Sequence, residues 1–430
     1  MTGAALILVT DPQRSLEDHA GLPLLKRTVL SAQKGGIRNF IIAAPKNSEE
    51  RLRTLLAGDN RITSTIRWNG PEDGDLQKLL KATSSESIMI IRAETVFDSN
   101  VIKKMRHPGP NSTAARVAVR NGPEEAGKRV LRLDGGAVVE CNVPTASHQT
   151  AGLVLAEPNA LENVVARAGN YRPDLCGIIE GLLSAGTLEA VDVTDDMCME
   201  ITSQETMRES EEKLFGRLGL VTDSPFSTHI SRKLSRLVTG VLVRLPLTPN
   251  QITLFSFSIS LVACLFYFYG GYRYSVLGAV TLYVAILFDL ADGEVARLKF
   301  MSSKYGALLD SICDSIIHSG VLFCIALAIH RSGHIPNIIT IGAAAAVAMF
   351  VCTNLDTYIH LAEKDLWNNQ PSPLERLFAN EDCFYLSLLG FTVLDRLPIY
   401  LWIVAIGATV YTFVMLGEMT IKSLSGKKAQ

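Results

Sequence analysis

The chain has 430 residues, 48% of them hydrophobic and 20% charged, and 41 Lys and Arg against 43 Asp and Glu leave a net charge of −2. This charged share is below the ~25% of an average soluble domain, and the apolar share excludes a disordered or fibrous chain. The near-neutral balance gives no electrostatic case for nucleic acid as a partner. Eight cysteines are scattered without CxxC or CxxxH spacing, which argues against a zinc site or a disulfide framework.

Residues 4–193 alternate short β-rich runs with helical stretches. Strands are predicted at 4–9, 39–44, 62–68, 88–92, 115–119, 152–155 and 188–193. Helices are predicted at 24–34, 49–56 and 75–82. Such alternation predicts an α/β domain with a largely parallel sheet. Within it, Gly21-Leu22-Pro23-Leu24-Leu25-Lys26-Arg27, then Gly35-Gly36-Ile37 and the run at 39–44, resemble the sugar-phosphate nucleotidyltransferase fold. In that family a glycine-rich loop with a basic residue follows the first strand and cradles the nucleotide phosphates. Here Thr10 to Ala20 contains no glycine. Glu94 stands in the place of the family's first metal aspartate, and Thr202, beside Glu200, stands where a second acidic residue is expected. The resemblance thus implies a nucleotidyltransferase-like soluble domain over 1–220 whose catalytic positions are degenerate.

Residues 221–249 mix Arg232, Lys233, Arg236 and Arg244 with Leu234, Leu237, Val238, Val241 and Leu242. This pattern predicts an amphipathic basic helix lying on a membrane surface. Thr248-Pro249-Asn250 then reads as the turn that starts the first span.

From residue 250 onward the composition changes. Six apolar runs follow at 252–268, 275–288, 307–329, 338–355, 384–394 and 399–421, the fifth being the shortest. Most approach the ~20 residues that a bilayer crossing requires. An all-α six-helix transmembrane domain over 250–430 is expected. Basic residues cluster on one side of these spans, among them Arg232, Lys233, Arg297, Lys299, Lys304, Lys364, Arg376 and Lys422, against Arg273, Arg331 and Arg396 on the other. That asymmetry predicts a multi-pass cell-membrane protein with both termini, the soluble domain and the site facing the cytoplasm. Gly342 and the alanines at 343–346 suggest a close helix contact, and a homodimer face is one reading of it.

The most informative stretch is 287–315. Asp289 and Asp292 are three residues apart, and Asp310 and Asp314 four, so each pair shares a helix face. Each charged group at membrane depth costs about 2.5 kcal/mol or more, so something cationic should offset four of them. An all-oxygen donor set selects hard divalent ions such as Mg²⁺, Mn²⁺ or Ca²⁺. Cys313 and His318 are read as lying on other faces. Gly293, Ala296 and Gly306 remove side-chain bulk beside the carboxylates, where a diphosphate could approach the backbone, and Arg297 can neutralise phosphate oxygens.

The pattern Asp289-x2-Asp292-Gly293-x2-Ala296-Arg297-x8-Gly306-x3-Asp310-x3-Asp314 resembles the signature of the CDP-alcohol phosphotransferase family at all eight positions. The resemblance implies two bound divalent ions, Mg²⁺ or Mn²⁺, a CDP-alcohol donor, an alcohol acceptor and release of CMP. It implies that Asp289, Asp292 and Asp310 hold metal with Asp314 near it, and that Asp314 is the general base. It also implies that Gly293, Ala296, Arg297 and Gly306 line the CDP site. Arg376 is a candidate for binding a phosphorylated acceptor. The domain order resembles bifunctional enzymes that make a CDP-alcohol in one half and consume it in the other. Two other readings are a transporter using intramembrane aspartates, and a membrane-anchored nucleotide-binding or scaffold protein with an inactive soluble domain.

Overall fold

The computed structural model describes residues 3–69, 87–107, 115–121, 130–134, 137–141, 148–168, 174–186, 188–219, 231–333, 335–362 and 381–426. The expected helix at 75–82, and Lys364 and Arg376, lie outside the described residues. The chain forms two compact units, Met1–Arg217 and Leu218–Gln430.

The first unit opens with β1 (Gly3–Leu8), α1 (Pro12–Leu16), β2 (Asp18–His19), β3 (Leu22–Pro23), α2 (Leu24–Lys34), β4 (Ile37–Ala43), α3 (Lys46–Leu56) and β5 (Thr65–Asn69). It continues with β6 (Ile88–Arg92), β7 (Thr95–Phe97), α4 (Ser99–Arg106), β8 (Ala115–Asn121), β9 (Val130–Asp134), β10 (Ala137–Cys141) and β11 (His148–Ala156). It closes with α5 (Pro158–Ala168), α6 (Leu175–Ala185), β12 (Leu188–Asp192), β13 (Cys198–Glu200) and α7 (Gln204–Gly216). Nine strands make one sheet in the order β5-β4-β1-β6-β11-β8-β12-β10-β9. Side chains alternate across it: Ala5 and Ile7 of β1 join one core cluster, Leu6 and Leu8 the other. The sheet is therefore covered on both faces, as the apolar run of β1 requires.

The expectation of a largely parallel sheet needs correction. Strands β5, β4, β1 and β6 are parallel, with α2 and α3 as crossovers, but β11 runs antiparallel to both β6 and β8. Parallel neighbours need a crossover element, whereas β8 to β11 are joined through the β9–β10 antiparallel pair.

The second unit is helical. It comprises α8 (Arg232–Leu242), α9 (Pro249–Tyr269), α10 (Tyr272–Leu298), α11 (Lys304–Arg331), α12 (Ile338–Ala362), α13 (Glu381–Val393) and α14 (Leu397–Gly426). Thr248 caps α9 in a capping box with Gln251, and Pro249 takes the first turn, where its missing N–H costs nothing. Five helices among the described residues are long and apolar enough to cross a membrane: α9, α10, α11, α12 and α14. The fifth apolar run falls on α13, a shorter apolar helix of 13 described residues, which gives the expected six apolar helices in this unit. Asp395, with φ of +54°, ends that helix, and Arg396 N bonds back to Phe391 O at 2.8 Å. Gly342 packs within the unit, where a Cβ on it would collide with Ala326 of α11, while Ala344 of the same run is exposed.

The basic helix also differs in detail from expectation. In α8, Arg232, Ser235 and Thr239 are buried, while Leu237 is 71% and Val241 64% exposed. Arg232 is turned into the protein and not toward the membrane surface.

Candidate metal and phosphate site

Helix α9 packs along both α10 and α11, and the carboxylates of the latter two come together beside it. Candidate ligand oxygens of Asp289, Asp292 and Asp310 all lie within 4.8 Å of one another. Asp289 and Asp292 meet because a three-residue step along α10 returns to one face; Asp310 reaches them from the first turns of α11. Asp292 is 6% exposed, and Asp289 and Asp310 are half-buried. Three converging carboxylates with no His or Cys among them suit a hard divalent cation, so the donor set fits Mg²⁺ or Mn²⁺. Asp314 lies one turn further along α11, buried at 8% exposure, and is not part of that mutually close set.

The small residues of the stretch lie on α10 and α11 near these carboxylates in sequence. Gly306 lies in the first turn of α11, its N–H donating to Ser303 Oγ at 3.0 Å, and a Cβ there would press on Asn250 Oδ1 at 3.2 Å. A Cβ on Gly293 would meet Arg297 Nη1 at 3.4 Å. Ala296 is half-buried one turn after Asp292. Arg297 Nη2 donates to Leu218 O at 3.1 Å, which steadies the guanidinium near the end of α10. Arg376 cannot be placed, since it lies outside the described residues. His318, one turn beyond Asp314, is buried and bonded through Nε2 to Tyr385 OH at 3.0 Å.

Two site residues were not picked out from the sequence. Thr253 Oγ1 of α9 donates to Asp292 Oδ2, and Ser256 Oγ donates to Asp289 Oδ1 at 3.3 Å. A signal existed: Thr253, Ser256 and Ser260 line one stripe of an otherwise apolar helix and are all buried. Hydroxyls that bind a ligating carboxylate fix its orientation.

In the soluble unit, the positions matched to a nucleotide site are occupied by internal bonds. Glu94, 1% exposed, accepts from Thr10 Oγ1 at 2.8 Å, Asp11 N at 3.0 Å and Ser15 Oγ at 2.9 Å. Arg92 pairs with Glu200 and donates to Thr10 Oγ1 at 2.8 Å. The segment after β1 is the short helix α1, capped by Asp11, in place of a glycine-rich loop. Lys26 is tied to Asp59 at 2.9 Å, holding that carboxyl, together with Arg61, well below the usual range. Arg27 is buried against the carbonyls of His19 and Ala20, and burial lowers its pKa to about 10.

Comparison with known proteins places these features. Residues 246–353 match the family model described as CDP-alcohol phosphatidyltransferase. The chain is 28% identical over 313 residues to a bifunctional IPC transferase and DIPP synthase of Rubrobacter xylanophilus, covering 70% of this chain and 71% of that one. It is 28% identical over 195 residues to a phosphatidylinositol phosphate synthase of Corynebacterium glutamicum, covering 44% of this chain and 85% of the relative. Among solved structures, the inositol-1-phosphate CTP transferase from T. maritima aligns with 49% of this chain and 97% of its own, at 13% identity and a TM-score of 0.38.

Proposed function

We propose that this multi-pass membrane enzyme, a CDP-alcohol phosphotransferase by the family domain of its membrane half, moves a substituted phosphate from a CDP-alcohol onto an acceptor hydroxyl in inositol phospholipid or inositol-phosphodiester synthesis. The observation that carries this reading is the convergence of Asp289, Asp292 and Asp310 within 4.8 Å, inside the eight-position signature. Asp289, Asp292 and Asp310 would hold two divalent ions, with Asp314 beside them. Bound there, the ions would neutralise the diphosphate and the departing CMP. Asp314 accepts the proton of the acceptor hydroxyl as its oxygen attacks the β-phosphorus. The phosphoanhydride bond breaks and CMP leaves with the bridging oxygen. Gly293, Ala296 and Gly306 leave room for the diphosphate against the backbone, and Arg297 faces its charge.

The site opens to the cytoplasm in this reading, on the side richer in Lys and Arg. The soluble unit is a non-catalytic module whose nucleotide position is closed by the Glu94–Arg92–Glu200 network, so the donor is made elsewhere. Self-association as a homodimer is part of the proposal.

The test is CMP release by full-length protein in detergent with Mg²⁺ or Mn²⁺, across CDP-inositol, CDP-glycerol and CDP-diacylglycerol with inositol, inositol phosphate and glycerol phosphate. One productive pair is expected, and Asp314→Asn should reduce its turnover by roughly 100-fold or more. Near-normal turnover in Asp314→Asn would remove the general-base role. No CMP from any pair, with Mn²⁺ bound, would favour the scaffold reading.

A further inference from the structure

Glu294 lies in the signature segment but is not one of its fixed positions. It is fully buried at 0% exposure in the membrane unit. Three side chains of one helix converge on it. Arg232 Nη1 lies at 3.2 Å, Ser235 Oγ donates at 3.1 Å and Thr239 Oγ1 donates at 2.6 Å. These residues are spaced i, i+3 and i+7, so they form a single stripe of α8. The opposite edge of α8 exposes Leu234, Leu237 and Val241. Five residues further along α10, Lys299 Nζ donates to Leu245 O at 2.7 Å and Leu247 O at 3.3 Å, in the link between α8 and α9. One turn of α10 is thus tied to both ends of this segment.

The geometry points to Glu294 as a positioning residue for the metal site, a reading that rests on the proposed function. At 100° per residue, Glu294 projects about 200° around the helix from Asp292. The carboxylates face the site from the front of α10, and Glu294 grips α8 from behind. A helix held only by apolar packing can shift in rotation by small amounts at low cost, and such a rotation of α10 would swing Asp289 and Asp292 together away from Asp310 of α11. A buried carboxylate that must keep one charged and two hydroxyl partners favours a single rotation, because any other breaks its contacts with Arg232, Ser235 and Thr239. Burying this ion pair gives little net stability compared with apolar packing; what it supplies is register. The apolar edge of α8 gives the clamp its outer support in lipid.

The experiment uses full-length protein in detergent and reads Mn²⁺ binding by electron paramagnetic resonance, with no nucleotide present. Wild type, Glu294→Gln, Thr239→Val and the double variant Arg232→Gln/Glu294→Gln are compared, with thermal midpoints recorded for each. Glu294→Gln is expected to weaken Mn²⁺ binding roughly 10–100-fold, the range for losing a group that orients metal ligands. Thr239→Val should weaken it in the same direction by a smaller factor. The double variant, which restores a neutral hydrogen-bonding pair, should recover most of the affinity. A residue that merely stabilised the fold would move the midpoint and leave the affinity of the folded fraction unchanged; that result overturns the proposal. So does a double variant no better than Glu294→Gln, since the pairing with Arg232 would then not be what holds the site. If Glu294→Gln does not fold, Thr239→Val decides, and unaltered affinity there overturns the clamp. Wild type that binds no Mn²⁺ would instead remove the metal site, and the clamp with it.

Discussion

Asp292 accepts from Thr253, and Asp289 from Ser256 at the longer distance of 3.3 Å. Orientation of a ligating carboxylate is set by such partners, so Thr253→Val should lower Mn²⁺ affinity roughly 10–100-fold and Ser256→Ala by less, measured by titration without donor. The carboxylates themselves were legible in the sequence because charge in an apolar run is expensive and its spacing is informative. The hydroxyls were not, because Ser and Thr in apolar helices usually bond to their own helix's carbonyls, as Thr253 also does to Pro249 O at 3.2 Å. In the soluble unit, His19 is buried against Ser210 Oγ at 3.0 Å, and burial lowers its pKa from 6.5 to about 3. Unfolded chains bind this proton below about pH 6.5 and the folded chain does not. Its contribution is therefore intact above that pH and is lost as pH falls toward about 3, at up to about 1.4 kcal/mol per unit. Denaturant unfolding of full-length protein carrying Trp68 as its sole tryptophan should show this slope, and His19→Gln should flatten it.

Among the elements, the contact between α11 and α12 admits no side chain at Gly342, since a Cβ there would overlap that of Ala326. Gly342→Ala should cost about 1–3 kcal/mol through overpacking, read as a lowered thermal midpoint in detergent. Polar pairs reinforce the same seam: Ser311 and Thr357 lie 2.5 Å apart through their hydroxyls, and Asn354 donates to Ser315 Oγ at 2.9 Å. Helix α2 was expected at 24–34 and is found at Leu24–Lys34, because its apolar residues keep a helical period up to Gly35. The small two-stranded sheet beside the main one was less legible. β7 and β13 are three residues each, too short to carry a period, and β13 exists through its pairing with β7. The fifth apolar run was the least legible of the six, because α13 is apolar along its described length but stops at Asp395.

At the scale of the whole molecule, the proposed function assigns the chemistry to the membrane unit alone. Charge in the membrane unit is concentrated where a divalent ion and a diphosphate can use it. In the soluble unit the corresponding charges are spent on one another: Glu94 accepts three bonds from the segment after β1, Arg92 binds Glu200, and Lys26 binds Asp59. Admitting a metal–nucleotide complex at Glu94 would require breaking its bonds to Thr10, Asp11 and Ser15, of which the buried one from Ser15 would cost about 1–3 kcal/mol if left unsatisfied. The full chain supplied with CTP and a phosphorylated alcohol should therefore release no pyrophosphate. The same preparation supplied with a preformed CDP-alcohol and its acceptor should release CMP. Running both in one sample removes misfolding as an explanation, because CMP release certifies the membrane unit. Arg92→Ala should not create pyrophosphate release, since it removes one partner of Glu200 but leaves the helix α1 where a phosphate-cradling loop would have to be. Pyrophosphate in step with CTP consumption by the unaltered chain would show that this network opens for substrate, and would make the chain self-sufficient in donor.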